Sequence, residues 1–273
     1  MELLASHRKW PAPLAFFPER GIIGKEKTGG PLPKGGFAAN MKNYRLHLIR
    51  HGMTEANRRG AYAGRRTDVE LSPEGIRELL DLREQYEYPP VKTVFCSPMT
   101  RCIQTAGVLY PQAELQVVPS MAEMDFGEFD GRTLPELEER GEEFLHWVKN
   151  SLTEAPPGGE SMEEFGHRVA VGLSSILAYV MQNGLEDTAI VTHGGVIRAI
   201  LSSMALPRLS PAQMLVGNGR GYTCFASPQL WMRDRLIEVV GIMPHGAERA
   251  AQLNPELAEA MSSLLDAMGE EAE

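Results

Sequence analysis

The sequence predicts an α/β protein in which helices cover both faces of a mostly parallel central sheet. Short apolar segments, rich in β-branched and aromatic residues, alternate with longer segments that begin at helix-capping residues. The chain has 273 residues, 43% of them apolar, which is enough to bury a sizeable core. Two of the apolar segments end in His-Gly, which places polar residues where open sheets of this class form their ligand crevice.

The first half of the chain supplies three strands and two helices. Residues 44–49 form a β-branched and aromatic run that suits a buried strand. Ser72 and Pro73 are typical of an N-cap and a first helical residue, so a helix is expected from there to about residue 86. The remaining predicted elements are strands over 93–96 and 115–118 and a helix over 98–109.

The second half continues the alternation. A charged segment over 134–148 predicts a helix, and the Pro-Pro-Gly-Gly of residues 156–159 breaks the chain after it. Ser161 and Glu164 fit a capping box that opens a long helix reaching residue 182. Further elements are a strand over 188–192, a helix over 194–204, and a hairpin of residues 222–226 and 230–240 around Ser227-Pro228.

Both ends of the chain differ from the central domain, which we place at residues 41–240. Residues 1–40 contain six glycines and five prolines without periodicity and predict a disordered extension. The alternative is that translation starts at Met41. In the tail, residues 241–273, a helix over 255–268 carries one apolar face. We expect this helix to dock on the domain, and self-association into a homodimer is the alternative.

Charge and cysteine content exclude several classes of function. A formal charge of −9 argues against nucleic-acid binding, although six arginines and only one acid lie between residues 45 and 66. That local patch suits a small anionic substrate. No apolar run is long enough to span a membrane, and no secretory signal is seen. Three scattered cysteines favour a reducing, cytoplasmic setting.

The two His-Gly strand ends indicate phosphoryl chemistry. His51 and His193 both follow apolar strands, so they can converge at one sheet edge. Arg50 disfavours a second positive charge on the adjacent imidazole, which keeps that ring nucleophilic, and its guanidinium can bind two phosphate oxygens. A metal site is the alternative use of such residues. It fits poorly, because the arginine repels a divalent cation and no metal-ligand spacing is present.

A glycine-rich segment, Gly217-x-Gly219-x-Gly221, superficially resembles a nucleotide-binding loop. The strand-then-helix context that such a loop requires is missing from the predicted elements. We therefore expect a loop between sheet elements.

Five ordered blocks resemble the histidine phosphatase superfamily, also called phosphoglycerate mutase-like. The opening block has Arg-His-Gly followed by Thr and Asn, and the closing block has Thr-His-Gly-Gly. In chain order the matching residues are Arg50, His51, Gly52, Thr54 and Asn57; Gly64, Asp68, Leu71, Ser72 and Gly75; Ser97, Pro98, Arg101, Gln104, Thr105 and Ala106; Glu123, Gly127 and Gly131; and Thr192, His193, Gly194 and Gly195.

The resemblance implies a three-layer α/β/α sandwich and a set of catalytic roles. His51 would accept the phosphoryl group, and Glu123 would act as general acid and then as general base. His193 completes the catalytic set. The implied phosphate-binding residues are Arg50, Arg101, Asn57, Thr54, Gly64 and Gly194. No cofactor and no metal are implied.

The same resemblance favours hydrolysis of a small phosphorylated metabolite. Only 70 residues separate Glu123 from His193, and Met124-Asp125 stands where mutases of the family carry Arg-His. The acid loop and the Pro-Gly-Gly-Glu-Ser of residues 157–161 look like the α-ribazole phosphatase branch. A cofactor-dependent mutase and a non-catalytic phosphohistidine- or phosphoprotein-binding member are the alternatives. The residues considered for substrate specificity are Arg58, Arg59, Tyr62 and Arg65.

Overall fold

The computed structural model describes residues 42–247, which form one seven-stranded sheet with helices on both faces. The strand order is β3-β2-β4-β1-β6-β7-β5. Within the described sheet, six strands point the same way and β6 runs against its neighbours β1 and β7. The strands are β1 Tyr44–Arg50, β2 Thr93–Cys96, β3 Glu114–Val117, β4 Asp187–Thr192, β5 Ala205–Leu206, β6 Gly221–Ala226 and β7 Ile237–Met243.

Eight helices are described, and they confirm the predicted three-layer arrangement. Helices α2 and α3 cover one face of the sheet, while the opposite face carries α6 and α7. The helices are α1 Glu55–Arg58, α2 Pro73–Gln85, α3 Thr100–Leu109, α4 Leu134–Glu138, α5 Glu142–Asn150, α6 Met162–Asn183, α7 Gly194–Met204 and α8 Pro228–Asp234. None of the described helices is long and apolar enough to cross a membrane.

Alternation along β1 explains why the sheet has a hydrophobic cluster on each face. Leu46 and Leu48 point to the face covered by α6 and α7, and Ile49 points to the face covered by α2 and α3. All three side chains are fully buried. A central strand covered on both faces buries residues of both alternating sets, which is why Ile49 is apolar as well as Leu46 and Leu48.

Helix caps form where the sequence placed them. The Ser72 hydroxyl accepts the Gly75 N–H at 3.0 Å, and Pro73 occupies the first turn of α2. At α6, the Glu164 carboxylate accepts the Ser161 N–H at 2.8 Å while the Ser161 hydroxyl accepts the Glu164 N–H at 3.2 Å. These reciprocal bonds satisfy backbone donors that would otherwise lack partners.

Two predicted elements are wrong in detail. The segment over 134–148 is two helices, because Gly141 adopts a positive φ of 61° and separates α4 from α5. The expected hairpin over 222–240 is instead a strand, the helix α8 and a strand. Ser227 caps α8 by accepting the Leu230 N–H at 3.2 Å, so the Ser-Pro pair starts a helix where a tight turn was expected.

The described chain continues past residue 240, where the sequence analysis placed the end of the domain. Strand β7 runs to Met243, and the backbone groups of His245 and Glu87 then exchange hydrogen bonds at 2.9 and 3.2 Å. The predicted extension over 1–40 and the predicted helix over 255–268 lie outside the described residues.

Candidate active site

The two histidines meet because their strands are parallel neighbours in the sheet. β1 ends at Arg50, which lies opposite Thr192 at the end of β4. The next residue of each chain segment is a histidine, and the His51 and His193 ring centroids are 5.2 Å apart with an angle of 64° between the ring planes. The sheet register therefore creates the pair that the sequence pattern predicts.

His51 is held as a neutral imidazole with one nitrogen open. Its Nδ1 lies 2.7 Å from the carbonyl oxygen of Gly52, and since a carbonyl can only accept, Nδ1 carries the hydrogen. Nε2 then keeps its lone pair. Burial holds the pKa of His51 well below its usual value, and the positive charges of Arg101 and Arg50 lower it further. This is the protonation state that a histidine nucleophile requires.

His193 is fully buried at the start of α7 and is contacted by side chains that follow strand β2. Its Nε2 lies 2.7 Å from the Ser97 hydroxyl, and the Cys102 thiol lies 3.5 Å from the same nitrogen. Burial lowers the pKa of His193 well below its usual value, with Arg101 and His51 lowering it further. Ser97 belongs to a recognised sequence block, but its contact with His193 was not predicted.

Arg50 reaches across the strand ends with part of its guanidinium unpaired. Its Nη1 donates to the carbonyl oxygen of Val216 at 2.7 Å. Its Nε is buried and finds no hydrogen-bond partner within the described part of the chain. That nitrogen faces the first turn of α7, where a Cβ added to Gly194 would lie 3.5 Å away.

Arg101 is fully buried, and three backbone carbonyls fix the orientation of its guanidinium. Its Nη1 donates to the Thr67 oxygen at 2.7 Å, and its Nη2 donates to the oxygens of Ala63 and Gly64, each at 3.2 Å. Its Nε, like that of Arg50, has no partner among residues 42–247. An unpaired buried donor destabilises a fold, so two beside a histidine pair indicate an anion-binding site.

The Glu123 carboxylate lies beside the second histidine. Its Oε1 accepts the Met124 N–H at 2.9 Å, and its Oε2 accepts the Gly195 N–H at 3.0 Å, two residues beyond His193. A Cβ on Gly195 would lie 2.3 Å from Oε1, so the carboxylate can occupy this position only against a glycine. The structure thus brings together the three residues predicted to be catalytic.

Thr54 and Asn57 form the cap of α1, shortly after the end of β1. Thr54 is fully buried. Its hydroxyl donates to Asn57 Oδ1 and accepts the Asn57 N–H within this cap, so it orients Asn57. Asn57 Oδ1 accepts from the Thr54 N–H at 3.2 Å and from Asn218 Nδ2 at 3.4 Å. The Nδ2 group of Asn57 takes no part in these bonds.

The two predicted phosphate-binding glycines have different positions. The Gly64 N–H donates to Asp130 Oδ1 at 3.0 Å, and the Gly64 carbonyl accepts from Arg101. Gly64 therefore helps to hold the Arg101 guanidinium in place. Gly194 opens the 11-residue helix α7 next to the Arg50 side chain. Helix N-termini favour negative charge, so Gly194 lies where a phosphate would be stabilised.

The glycine-rich segment is a loop between sheet elements, as predicted. Gly219 has a φ of 71° and donates its N–H to the carbonyl oxygens of Arg50 at 3.0 Å and His51 at 3.3 Å. In the same loop, Asn218 Nδ2 donates to the His51 oxygen at 2.9 Å. Sequence analysis missed Asn218, because nothing in a glycine-rich segment indicates that it supports a strand end so far away in the chain.

The residues predicted to set specificity lie at the end of α1 and on the loop that follows it. Arg58 is exposed and ion-paired with Glu55 at 2.6 Å. Tyr62 is half-buried, with its ring centroid 5.5 Å from that of Phe126. The other two, Arg59 and Arg65, are exposed.

No group of three or more His, Cys, Asp or Glu side chains within residues 42–247 is arranged to hold a metal ion. The positive charge that acts on the histidine pair comes mainly from Arg101 and Arg50, with a smaller contribution from Arg168 at His193.

With this geometry in view, comparison with known proteins decides the family. The pattern of the histidine phosphatase superfamily (branch 1) matches residues 46–220. The chain belongs to the histidine phosphatase superfamily. The resemblance found in the sequence blocks is therefore confirmed, and the matched range contains all the residues predicted for the site.

Relatives within the superfamily carry several activities in their names. A Hydrogenobacter thermophilus protein named for phosphoserine phosphatase activity is 34% identical over 160 residues, which are 58% of this chain and 76% of that protein. The adenosylcobalamin/α-ribazole phosphatase of Escherichia coli K12 is 28% identical over 76% of this chain and 100% of its own length. The crystal structure of phosphoglycerate mutase from Bacillus anthracis shares the fold, with a TM-score of 0.61 at 19% identity, covering 74% of this chain and 93% of that one.

Proposed function

We propose that this histidine phosphatase superfamily member is a metal-independent phosphomonoesterase that acts through a phosphohistidine intermediate. The observation that carries the proposal is the neutral His51 imidazole, whose ring centroid is 5.2 Å from that of His193. It is flanked by two buried guanidinium Nε groups that find no partner among residues 42–247. A phosphoryl group of a small metabolite supplies the oxygens that such donors require.

In the first step, Nε2 of His51 attacks phosphorus and the bond from phosphorus to the ester oxygen breaks. The departing oxygen takes the electron pair and receives a proton from the Glu123 carboxyl group. In the second step, water gives a proton to the Glu123 carboxylate and attacks the phosphohistidine, which releases inorganic phosphate and restores the imidazole. One carboxyl group serves in turn as acid and base.

Preformed donors stabilise the charge that spreads over the phosphoryl oxygens during both steps. Arg50 and Arg101 supply the unpaired Nε groups, and Asn57, His193 and the start of α7 complete the set. Because these donors are fixed by other parts of the fold before substrate binds, little reorganisation is needed in the transition state.

Hydrolysis is favoured over mutase activity by the residues that follow the acid. Met124 is buried in the core, and Asp125 is ion-paired with Arg66 at 2.7 Å. Neither position offers the positive charge that Arg-His supplies in the mutases that the sequence resembles. Without that charge, water is the better supported phosphoryl acceptor.

The substrate that we place first is α-ribazole phosphate. The full-length similarity to the Escherichia coli α-ribazole phosphatase supports this choice, as do the acid loop and the Pro-Gly-Gly-Glu-Ser segment. A panel of phosphorylated metabolites that includes α-ribazole phosphate and phosphoserine tests it directly. Turnover of another panel member at much higher kcat/KM would replace this substrate and leave the proposed reaction intact.

The reaction itself is tested with p-nitrophenyl phosphate in the presence of EDTA. We expect hydrolysis that EDTA leaves unchanged and that His51→Ala lowers by at least about 10³-fold, because the nucleophile is lost. A phosphorylated His51 should be trapped by rapid quenching at high pH. Hydrolysis by the alanine variant at the parent rate would refute the proposal.

Mutase activity is tested separately with 3-phosphoglycerate and a bisphosphoglycerate primer. We expect inorganic phosphate to appear faster than 2-phosphoglycerate. The opposite order would assign the protein to the mutases. Tight phosphate binding without turnover of any substrate would instead favour a non-catalytic binding member.

A further inference from the structure

The segment that carries Glu123 is held through its backbone carbonyls by one arginine of α6. Arg168 Nη1 donates to the oxygens of Ser120 at 2.9 Å and Ala122 at 3.0 Å, and its Nη2 donates to the Glu123 oxygen at 3.2 Å. Three carbonyls within four residues thus converge on a single guanidinium. No sequence block indicated this contact, because backbone carbonyls leave no side-chain signature.

The carbonyl of Met121, between these residues, is held from the opposite side by the last residue of β4. The Thr192 hydroxyl donates to the Met121 oxygen at 2.8 Å, and Thr192 directly precedes His193. The acid segment is therefore fixed between α6 and the end of β4. Its position relative to His193 depends on both contacts.

A glycine lets α6 come close enough for the arginine to reach. A Cβ on Gly172 would lie 2.4 Å from the Ser120 Oγ and 2.8 Å from the Met121 Cε, so a larger residue would have to displace these two side chains of the segment. Arg168 is one helical turn before Gly172 and lies on the same face of α6.

The Arg168 guanidinium is itself fixed, and all five of its N–H groups are used. Its Nε donates to Glu160 Oε2 at 3.1 Å, and its Nη2 also donates to Glu160 Oε1. The same Oε1 accepts the Asp125 N–H at 2.9 Å, on the other side of Glu123. With three carbonyls taking the remaining hydrogens, no donor is left for substrate. By hydrogen bonding, Arg168 can therefore act on the reaction only through the segment that it holds, while its positive charge also lowers the pKa of His193 as the smallest of the contributing causes.

We propose that Arg168, anchored by Glu160, is a positioning residue that fixes the general acid Glu123 for proton transfer to the leaving oxygen. This inference rests on the proposed function, in which Glu123 protonates that oxygen. The carboxylate keeps its bonds to the N–H groups of Met124 and Gly195 only while its backbone stays in place. A displacement of about 1 Å from productive geometry is enough to slow an enzyme by about 10²-fold.

The test separates proton donation from phosphate binding by varying the leaving group. Phenyl phosphate has a leaving group that needs protonation, and 2,4-dinitrophenyl phosphate has one that needs little. Values of kcat/KM report the first phosphoryl transfer for both substrates. We expect Glu123→Gln to lose about 10²-fold with phenyl phosphate and far less with the dinitrophenyl ester.

Arg168→Met is expected to follow the same pattern, with a loss of at least about 10-fold for phenyl phosphate and little change for the dinitrophenyl ester. The inhibition constant of inorganic phosphate should stay within about 2-fold, because Arg168 has no donor for the anion. Arg168→Lys should recover part of the rate. Adding Arg168→Met to Glu123→Gln should cause no further selective loss.

The matched control is Arg83→Met on α2, which removes another arginine whose Nη1 donates to a backbone carbonyl, that of Val108, at 2.6 Å. It should leave both kcat/KM values unchanged. If Arg168→Met does not fold, Arg168→Lys and Glu160→Gln provide the same comparison, since each weakens the clamp without removing it.

Two results have separate meanings. Equal losses with both substrates in the Arg168 variants, beside a selective loss in Glu123→Gln, would overturn the positioning role and leave the acid assigned. An absence of leaving-group selectivity in Glu123→Gln itself would overturn the role given to Glu123 in the proposed reaction.

Discussion

The Nδ1 hydrogen of His51 goes to the carbonyl of the adjacent residue, Gly52, and this single bond decides which nitrogen keeps its lone pair. Glu123 is controlled in the same way, since both of its carboxylate oxygens accept backbone N–H groups. At the scale of single residues, the site is therefore shaped by main-chain groups. Those groups are fixed by the fold, which makes glycines near them sensitive to substitution.

Gly195→Ala is expected to damage catalysis without damaging the fold. The added methyl group would lie 2.3 Å from the Glu123 Oε1, so the carboxylate must move away from the His193 side of the site. We expect kcat/KM for phenyl phosphate to fall by about 10²-fold while the midpoint of thermal unfolding holds or rises.

Gly166→Ala in α6 is the matched control for this substitution, because a Cβ there meets nothing within 4 Å. It should keep full activity and gain up to about 1 kcal/mol in the free energy of unfolding. Unchanged kinetics in Gly195→Ala would show that the carboxylate is not needed where the structure places it.

Among the secondary-structure elements, those that were predicted correctly have a local cause. β1, β4, α2 and α6 follow from apolar runs and from caps formed by neighbouring residues, and the two histidines were predicted because they end such strands. The helix α8 was missed since Ser-Pro starts helices as well as turns. Arg168 was missed because its partners are main-chain oxygens about 45 residues away in the chain.

Ser227→Ala tests the cap of α8, which the sequence analysis assigned to a turn. Loss of the bond to the Leu230 N–H should lower the free energy of unfolding by about 1 kcal/mol, measured by urea denaturation, with no change in activity. Ser175→Ala, which removes an exposed hydroxyl bonded within α6, should have almost no effect. Equal stability of the two variants would argue against the cap.

Viewed as a whole molecule, the protein buries several neutral histidines, so its stability must depend on pH. His47 is fully buried on β1 between Thr223 and Asp187, and burial lowers its pKa to about 4. The pKa values of His51 and His193 are also well below their usual value, mainly through burial. In the unfolded chain these imidazoles take up protons near pH 6.5.

We expect the free energy of unfolding to fall as pH is lowered from about 6.5 towards 4. Between these limits the unfolded chain binds more protons than the folded chain, so acid favours unfolding, by about 3 kcal/mol for His47 alone. Urea denaturation at a series of pH values measures the slope. His47→Gln should make this slope shallower, even if it also changes the free energy of unfolding at pH 7. His146→Gln, at an exposed position, should leave the slope unchanged.

The reversed direction of β6 has a practical consequence for attaching this protein to other molecules. Because β6 begins at the active-site edge, with Gly221 opposite Ile49, it delivers α8 and the turn after it to the far end of the sheet, where Ala226 lies opposite Tyr44. A fluorescent label or an immobilising linker joined at Arg235 would therefore sit away from the mouth of the substrate crevice. Protein immobilised through that turn would present the histidine pair to the solution.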